Sequence, residues 1–175
     1  MADRGGRTLP HNLDAEASVL GAILLHPSEA LTRVMDQLTP EDFYAPAHRD
    51  TYEAMLALEE EGQPIDLITL EEKLRSTDKL ARVGGVPYLA ELSGRVPSVQ
   101  NIGFHAGIVR DKATLRGLIR TATEIASEGY TDQADAQEFL DRAEQQIFEL
   151  TQRTTTSSYE PVKQILADAF KAIAK

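Results

Sequence analysis

The chain of 175 residues contains no cysteine and no tryptophan, and only 6% of it is aromatic. Without cysteine there is no disulfide, no thiol nucleophile and no cysteine-based zinc site, which fits a reducing compartment. Scarce aromatics in a chain that is 42% apolar point to close packing of small and aliphatic side chains on helices. No apolar run approaches the ~20 residues that span a bilayer. The opening "MADRGGRTLP" lacks a hydrophobic signal region. A soluble, intracellular, cytoplasmic protein without a membrane role is expected.

Positive charge is also in short supply. The net charge is −10, with −9 carried by residues 12–97 and −3 by residues 98–153. Such a field repels phosphates, so direct nucleic-acid binding is not expected and protein partners are favoured. Phosphate-binding and catalytic signatures are missing too. No glycine is followed by lysine, which excludes G-x-x-x-x-G-K-[ST], and H-E-x-x-H, G-x-S-x-G and G-x-G-x-x-G are absent. His11, His26, His48 and His105 are scattered and read as solvated or capping residues. Within "HRD" (48–50) the histidine and aspartate stand two apart, too poorly aligned on a helix to chelate a metal. No catalytic residue, metal ligand or cofactor-binding residue is assigned.

What the chain does have is helix punctuation. "PHNLDAEASVLGAILLHP" (10–27) offers Asn12 or Asp14 as a cap and Pro27 as a stop, with Leu13, Ala17, Leu20 and Leu24 on one stripe. Asp14 and Glu16 fall in the first turn, where they complement the helix dipole, and Gly21 is explained by close packing, so this stretch reads as scaffold. A second helix follows Pro27 with Leu31, Val34, Met35 and Leu38 inward. "TPEDF" is read as another helix start capped by Thr39. Tyr52, Met55 and Leu56 mark a further helix that Gly62 ends, and Asp66 caps the next, with Leu67, Leu70 and Leu74 inward. Gly84–Gly85 make a turn before a short helix that breaks at Pro97.

After Pro97 the texture changes. Residues 98–128 contain no proline and make one helix of roughly 45 Å, and a second runs from about Ala134 to Arg153. Together they predict an antiparallel hairpin. A turn at Thr131 sets Ala122 near Leu140, Ile119 near Ala143 and Leu115 near Ile147. Arg110, Lys112, Arg116 and Arg120 then lie at the root and Glu124, Glu128, Asp132, Asp135 and Glu138 at the tip. Ile102, Val109, Leu118, Ile125, Phe139 and Phe148 spread beyond the arc one partner helix can cover; a second hairpin, a packed head domain or both could cover the remainder, and self-association through these residues is the expectation that the family resemblance given below favours. "TTTSS" interrupts as a linker. The final segment carries Val162, Ile165, Leu166, Phe170 and Ile173 on one face. A helix of about 14 residues is marginal alone, so this face needs a docking partner. The expected organisation is all-α: a flexible arm (1–11), a globular helical head (12–97), the hairpin (98–153), a linker (154–160) and an amphipathic helix (161–175).

Four stretches in order resemble the N-terminal region of bacterial replicative DNA helicases of the DnaB family. They are "PHNLDAEASVLGAIL" (10–24), "FYAPAHRDTYEAMLAL" with "GQPIDLITL" (43–70), "GGVPYLAEL…VPSVQNIGFHAGIVRDKATLRGLI" (84–119) and "AEQQIFELTQ" (143–152). The resemblance implies a collar domain that pairs through its hairpins, forms a trimer of dimers within a hexameric ring, and recruits primase during DNA replication. It also implies a linker helix that docks on the neighbouring motor domain, where a helicase loader can act. ATP and Mg would belong to an ATPase domain this chain lacks, so no enzyme activity is expected of the chain itself. A stand-alone helical adaptor or transcriptional regulator is the alternative, and a small helical hydrolase ranks third.

Overall fold

The computed structural model describes residues 8–94, 99–131 and 135–155. Among them there is no strand; the fold is all-α, as the spacing predicts. The chain divides into two compact units that part between Arg116 and Gly117.

The first unit is built around α1 (Leu13–Leu25), whose start is fixed by the Asn12 side chain accepting the amide of Ala15 at 3.0 Å. α1 is not the amphipathic stripe the sequence predicts. Residues 15 to 23 are buried almost all round, because α2, α3 and α6 pack on different sides of it. Leu13, expected inward, is exposed. α2 (Pro27–Val34) buries Ala30, Leu31 and Val34, while Met35 turns out to solvent. "TPEDF" forms only a single 3₁₀ turn (Pro40–Asp42), with the Asp42 carboxylate accepting the Thr39 amide at 2.8 Å. Phe43 ends that turn and packs its ring 4.8 Å from Tyr52 of α3 (Pro46–Glu60).

α3 ends as expected. Gly62 adopts φ +66, the Gln63 amide bonds back to Leu58 O, and the Gly62 amide to Glu59 O, a Schellman arrangement that needs a left-handed residue. α4 (Leu67–Ser76) starts at Asp66, whose Oδ1 accepts the amides of Ile68 and Thr69, both at 2.9 Å. Leu70 and Leu74 are inward, but Leu67 is exposed. The short α5 (Leu80–Val83) turns through Gly84, at φ +110, into α6 (Gly85–Gly94). A substituent at Gly84 would meet Tyr88 Cβ at 3.1 Å, so both the sign of φ and the space favour glycine.

α7 (Ile102–Gly129) follows a 3₁₀ turn at Val99–Asn101. Its first half belongs to the head. Ile102, Ala106 and Val109 join one core with Leu20, Ile23, Tyr52, Met55 and Leu89. The two compact units part at 116/117, nineteen residues beyond the head–hairpin boundary expected at 97/98. The expected flexible arm is corrected as well for its described part. Arg116, 3% exposed, donates to the carbonyls of Pro10 (2.9 Å) and Asp42, and His11 stacks on Tyr44 at 4.3 Å.

The second unit is a hairpin of α7's latter half and α8 (Ala136–Thr155), which Asp135 caps through Gln137 N at 2.8 Å. Its register differs from the expected one. Gly129 faces Phe139, and Gly117 lies so close to α8 that a Cβ there would sit 2.8 Å from Leu150 Cδ1. The predicted partners Leu115, Ile119, Leu140 and Ile147 are all exposed instead. Residues 161–175, with the Val162, Ile165, Leu166, Phe170 and Ile173 face, lie outside the described residues. So does most of the 154–160 linker, although α8 reaches Thr155.

Candidate protein-interaction surface

Polar chemistry in the first unit is concentrated between α1 and α3. Glu16 is buried, and its carboxylate accepts three donors: the amides of Tyr44 (2.8 Å) and Ala45 (3.3 Å) and Nδ1 of His48 (2.7 Å). Tyr44 and Ala45 are the two residues before α3, so Glu16 of α1 holds the segment that leads into another helix. Glu16 lies in the first turn of α1 as expected, but buried and spent on other elements, while His48, 8% exposed, is neither solvated nor a cap. Asp50, two residues on, turns elsewhere and holds Arg82 (2.6 Å) and Lys79 (3.5 Å). The "HRD" histidine and aspartate thus diverge, as helical geometry requires. The Glu53 carboxylate, at 2.8 Å, raises the Lys79 ammonium above its ordinary value, with Asp50 adding to the effect. Burial raises the Tyr52 phenol, whose hydroxyl donates to Leu38 O at 3.2 Å. These groups tie helices together. Among the described residues no cluster of histidine and carboxylate could hold a metal ion.

The second unit offers a surface of another kind. Leu118 is 47% exposed and Phe148 61%, with Ile119, Leu140 and Ile147 comparably open. Of the six residues expected to mediate self-association, Leu118 and Phe148 stand on this surface. Ile125 and Phe139 are half-buried, Phe139 against Gly129. Ile102 and Val109 are excluded: both are buried in the head core and cannot meet another chain. Ile119, Leu140 and Ile147 were missed as surface residues because the assumed turn placed them inside the hairpin. The close approach permitted by Gly117 is the signal that would have shifted the register. The same two helices carry many acids, with Glu124 and Glu128 on α7 and Glu138, Asp141, Glu144 and Glu149 on α8.

The class that the described residues define is an all-α domain: a helical head followed by a two-helix unit with exposed apolar side chains. The chain belongs to the family described as the DnaB-like helicase N terminal domain, whose model matches residues 8–111. It is 44% identical over 167 residues to the replicative DNA helicase DnaC of Bacillus subtilis, covering 95% of this chain and 37% of that protein. The replicative DNA helicase DnaB of Geobacillus stearothermophilus is 41% identical over the same shares. The crystal structure of the N-terminal domain of DnaB helicase from Mycobacterium tuberculosis superposes with a TM-score of 0.76 at 41% identity, covering 81% of this chain and 99% of that one. A DnaB-like replicative helicase described with its interactions with primase superposes with a TM-score of 0.66 at 26% identity, over 94% of this chain and 35% of that one. The chain thus spans a little over a third of the full-length relatives it matches, at their N-terminal domain. No helix among the described residues is long and apolar enough to cross a membrane.

Proposed function

We propose that this chain serves as the collar of a hexameric replicative helicase, pairing with a second copy through the hairpin and presenting a docking platform for primase during DNA replication. The observation that carries the reading is the exposure of Leu118, Ile119, Leu140, Ile147 and Phe148 on a two-helix unit that has little interior of its own. Apolar surface left in water costs ~25 cal/mol per Å², so a second hairpin covering these side chains is a direct way to stabilise the unit. Family membership and the primase-interacting neighbour support the same assignment. Unwinding, with ATP and Mg, would be the work of a motor domain such as the full-length relatives carry. A helicase loader would act there or on residues 161–175, through the apolar side chains Val162, Ile165, Leu166, Phe170 and Ile173. Net charge −10 disfavours direct contact of this domain with DNA. A cytoplasmic location follows from that role.

Charge sets the pairing direction. Arg120 lies nearer the root and Glu124, Glu128, Asp135 and Glu138 crowd the tip, so superposed tips repel and paired hairpins run root to tip. Replacing Leu118 and Phe148 together by Asp is expected to convert a dimer into a monomer in sedimentation equilibrium, with the head's unfolding transition retained. A dimer that survives both substitutions would remove the hairpin from the interface. Ile125→Asp with Phe139→Asp is the poorer test, since both side chains are partly enclosed within the hairpin's own unit.

A further inference from the structure

The hairpin leaves apolar surface on α8 that its own partner helix does not cover. Leu140 and Ile147 are 51% and 47% exposed, and their seven-residue spacing puts them on one stripe of α8. Phe148, beside Ile147, is more open still. Residues 117–155 carry eight acids against three arginines, a net charge of −5. Residues 161–175 have the complementary character. Lys163, Lys171 and Lys175 against Asp168 give a net of +2, and Leu166 and Ile173 repeat the seven-residue spacing of the α8 pair. Chain geometry brings the two within reach. α8 runs back from the turn past Gly117, which lies against Leu150, and ends at Thr155. Only residues 156–160 separate that end from Pro161. Five residues extend up to ~17 Å, more than the roughly 8–10 Å between packed helix axes, so the chain can reverse there. A 15-residue helix is about 22 Å long, the length of α8 from Leu140 to Thr155.

We propose that residues 161–175 dock on the hairpin of their own chain, antiparallel to α8, with Leu166 level with Ile147 and Ile173 level with Leu140. The two apolar stripes then remove each other from water. Charge favours this occupant over a second copy, because another hairpin brings −5 towards −5 while the segment brings +2. The tether favours it again, since a short linker holds the segment near its surface at an effective concentration of about millimolar. Segment and second copy compete for one surface, so docking restrains hairpin pairing and release of the segment permits it. The docking itself does not rest on that pairing. The receiving side chains all lie in the second unit.

The test is paramagnetic NMR on the whole chain. The sequence has no cysteine, so Lys175→Cys supplies a single attachment point for a nitroxide. The docked register places that label beside Leu140, whose methyl signals are expected to broaden beyond detection and to return when the nitroxide is reduced. Diluting the labelled chain into a large excess of unlabelled chain should leave the broadening unchanged. Leu166→Asp with Ile173→Asp is expected to abolish it. The same pair should tighten pairing about tenfold in sedimentation equilibrium, the gain when each chain's open fraction rises from about one-third to one. Leu140 signals untouched by the label, broadening lost on dilution, broadening retained in the double variant, or a dimer of unchanged affinity would each overturn the docking. If parent and variant both stay monomeric while the broadening behaves as stated, the pairing reading fails and the docking stands.

Discussion

Glu16 and His48 stand thirty-two residues apart in the chain and 2.7 Å apart in the fold, the imidazole Nδ1 donating to a carboxylate that is 1% exposed. Because the same carboxylate accepts the amides of Tyr44 and Ala45 just before α3, this contact fixes α1 and α3 in one geometry. Glu16→Ala is expected to cost about 3–5 kcal/mol, since it strands two backbone amides and a buried ring. Glu16→Gln retains an acceptor and should cost about 1–3 kcal/mol. Urea unfolding checks both, and an alanine variant within 1 kcal/mol of the parent would show the pair to be dispensable.

Arg116 fastens the segment before α1 to α7. Arg116→Met is expected to accelerate amide exchange at residues 9–12 and 42–45 and to lower stability by about 2 kcal/mol, because the Pro10 and Asp42 carbonyls lose a charged donor. Arg116→Lys should not restore exchange protection. A single ammonium cannot span two carbonyls and also lie over Tyr44 as the guanidinium does at 5.6 Å. Full protection in the lysine variant would contradict this role.

Asp66 gives the head a small dependence on acid. The Thr69 amide holds its carboxyl below the ordinary value of 3.8, the slight desolvation opposes this, and the Ile68 amide and Thr69 hydroxyl add to the lowering. A carboxyl depressed on folding contributes its stability in full above the unfolded value and loses it as pH falls through the folded one. Asp66→Ala should therefore cost about 1 kcal/mol at neutral pH, the typical worth of a helix cap. That gap should narrow as pH falls through the folded value, leaving the part that a neutral carboxyl still supplies as an acceptor. Asp66→Asn should keep the cap and lose the pH dependence in thermal melts taken from pH 7 to pH 2.5.

At Gly117 two effects oppose each other. Alanine would gain about 1 kcal/mol of helix propensity, while its Cβ at 2.8 Å from Leu150 Cδ1 forces that flexible side chain to move. Gly117→Ala is expected to be close to neutral. Gly117→Val cannot be absorbed so easily and should destabilise the hairpin by about 1–3 kcal/mol. Leu150→Ala should make valine tolerable there, and a double-mutant cycle in thermal unfolding reads the coupling. Purely additive effects would mean that the two positions do not meet.

Much of this architecture is written in local chemistry. Asn12, Pro27, Gly62, Asp66 and the Gly84 turn act on amides and carbonyls within a few residues of themselves, so their effect needs no knowledge of the rest of the fold. That is why the order of helices, the all-α class and the long hairpin are legible in the chain.

Which faces are buried was decided elsewhere. Periodicity marks Ile102 and Val109 as apolar but cannot say whether a head core or a second chain covers them; the head extends along α7 to Arg116 and takes both. Glu16 looks like a first-turn acid until α3 arrives beside it. Arg116 looks like one of a basic row until the carbonyls of Pro10 and Asp42 meet it. The hairpin register turns on how near α8 comes to Gly117 and Gly129, a distance set by packing across the turn. Caps and breaks are fixed by hydrogen bonds between near neighbours in sequence. Burial, buried ion pairing and register are fixed by side chains that meet only after the chain has folded back on itself.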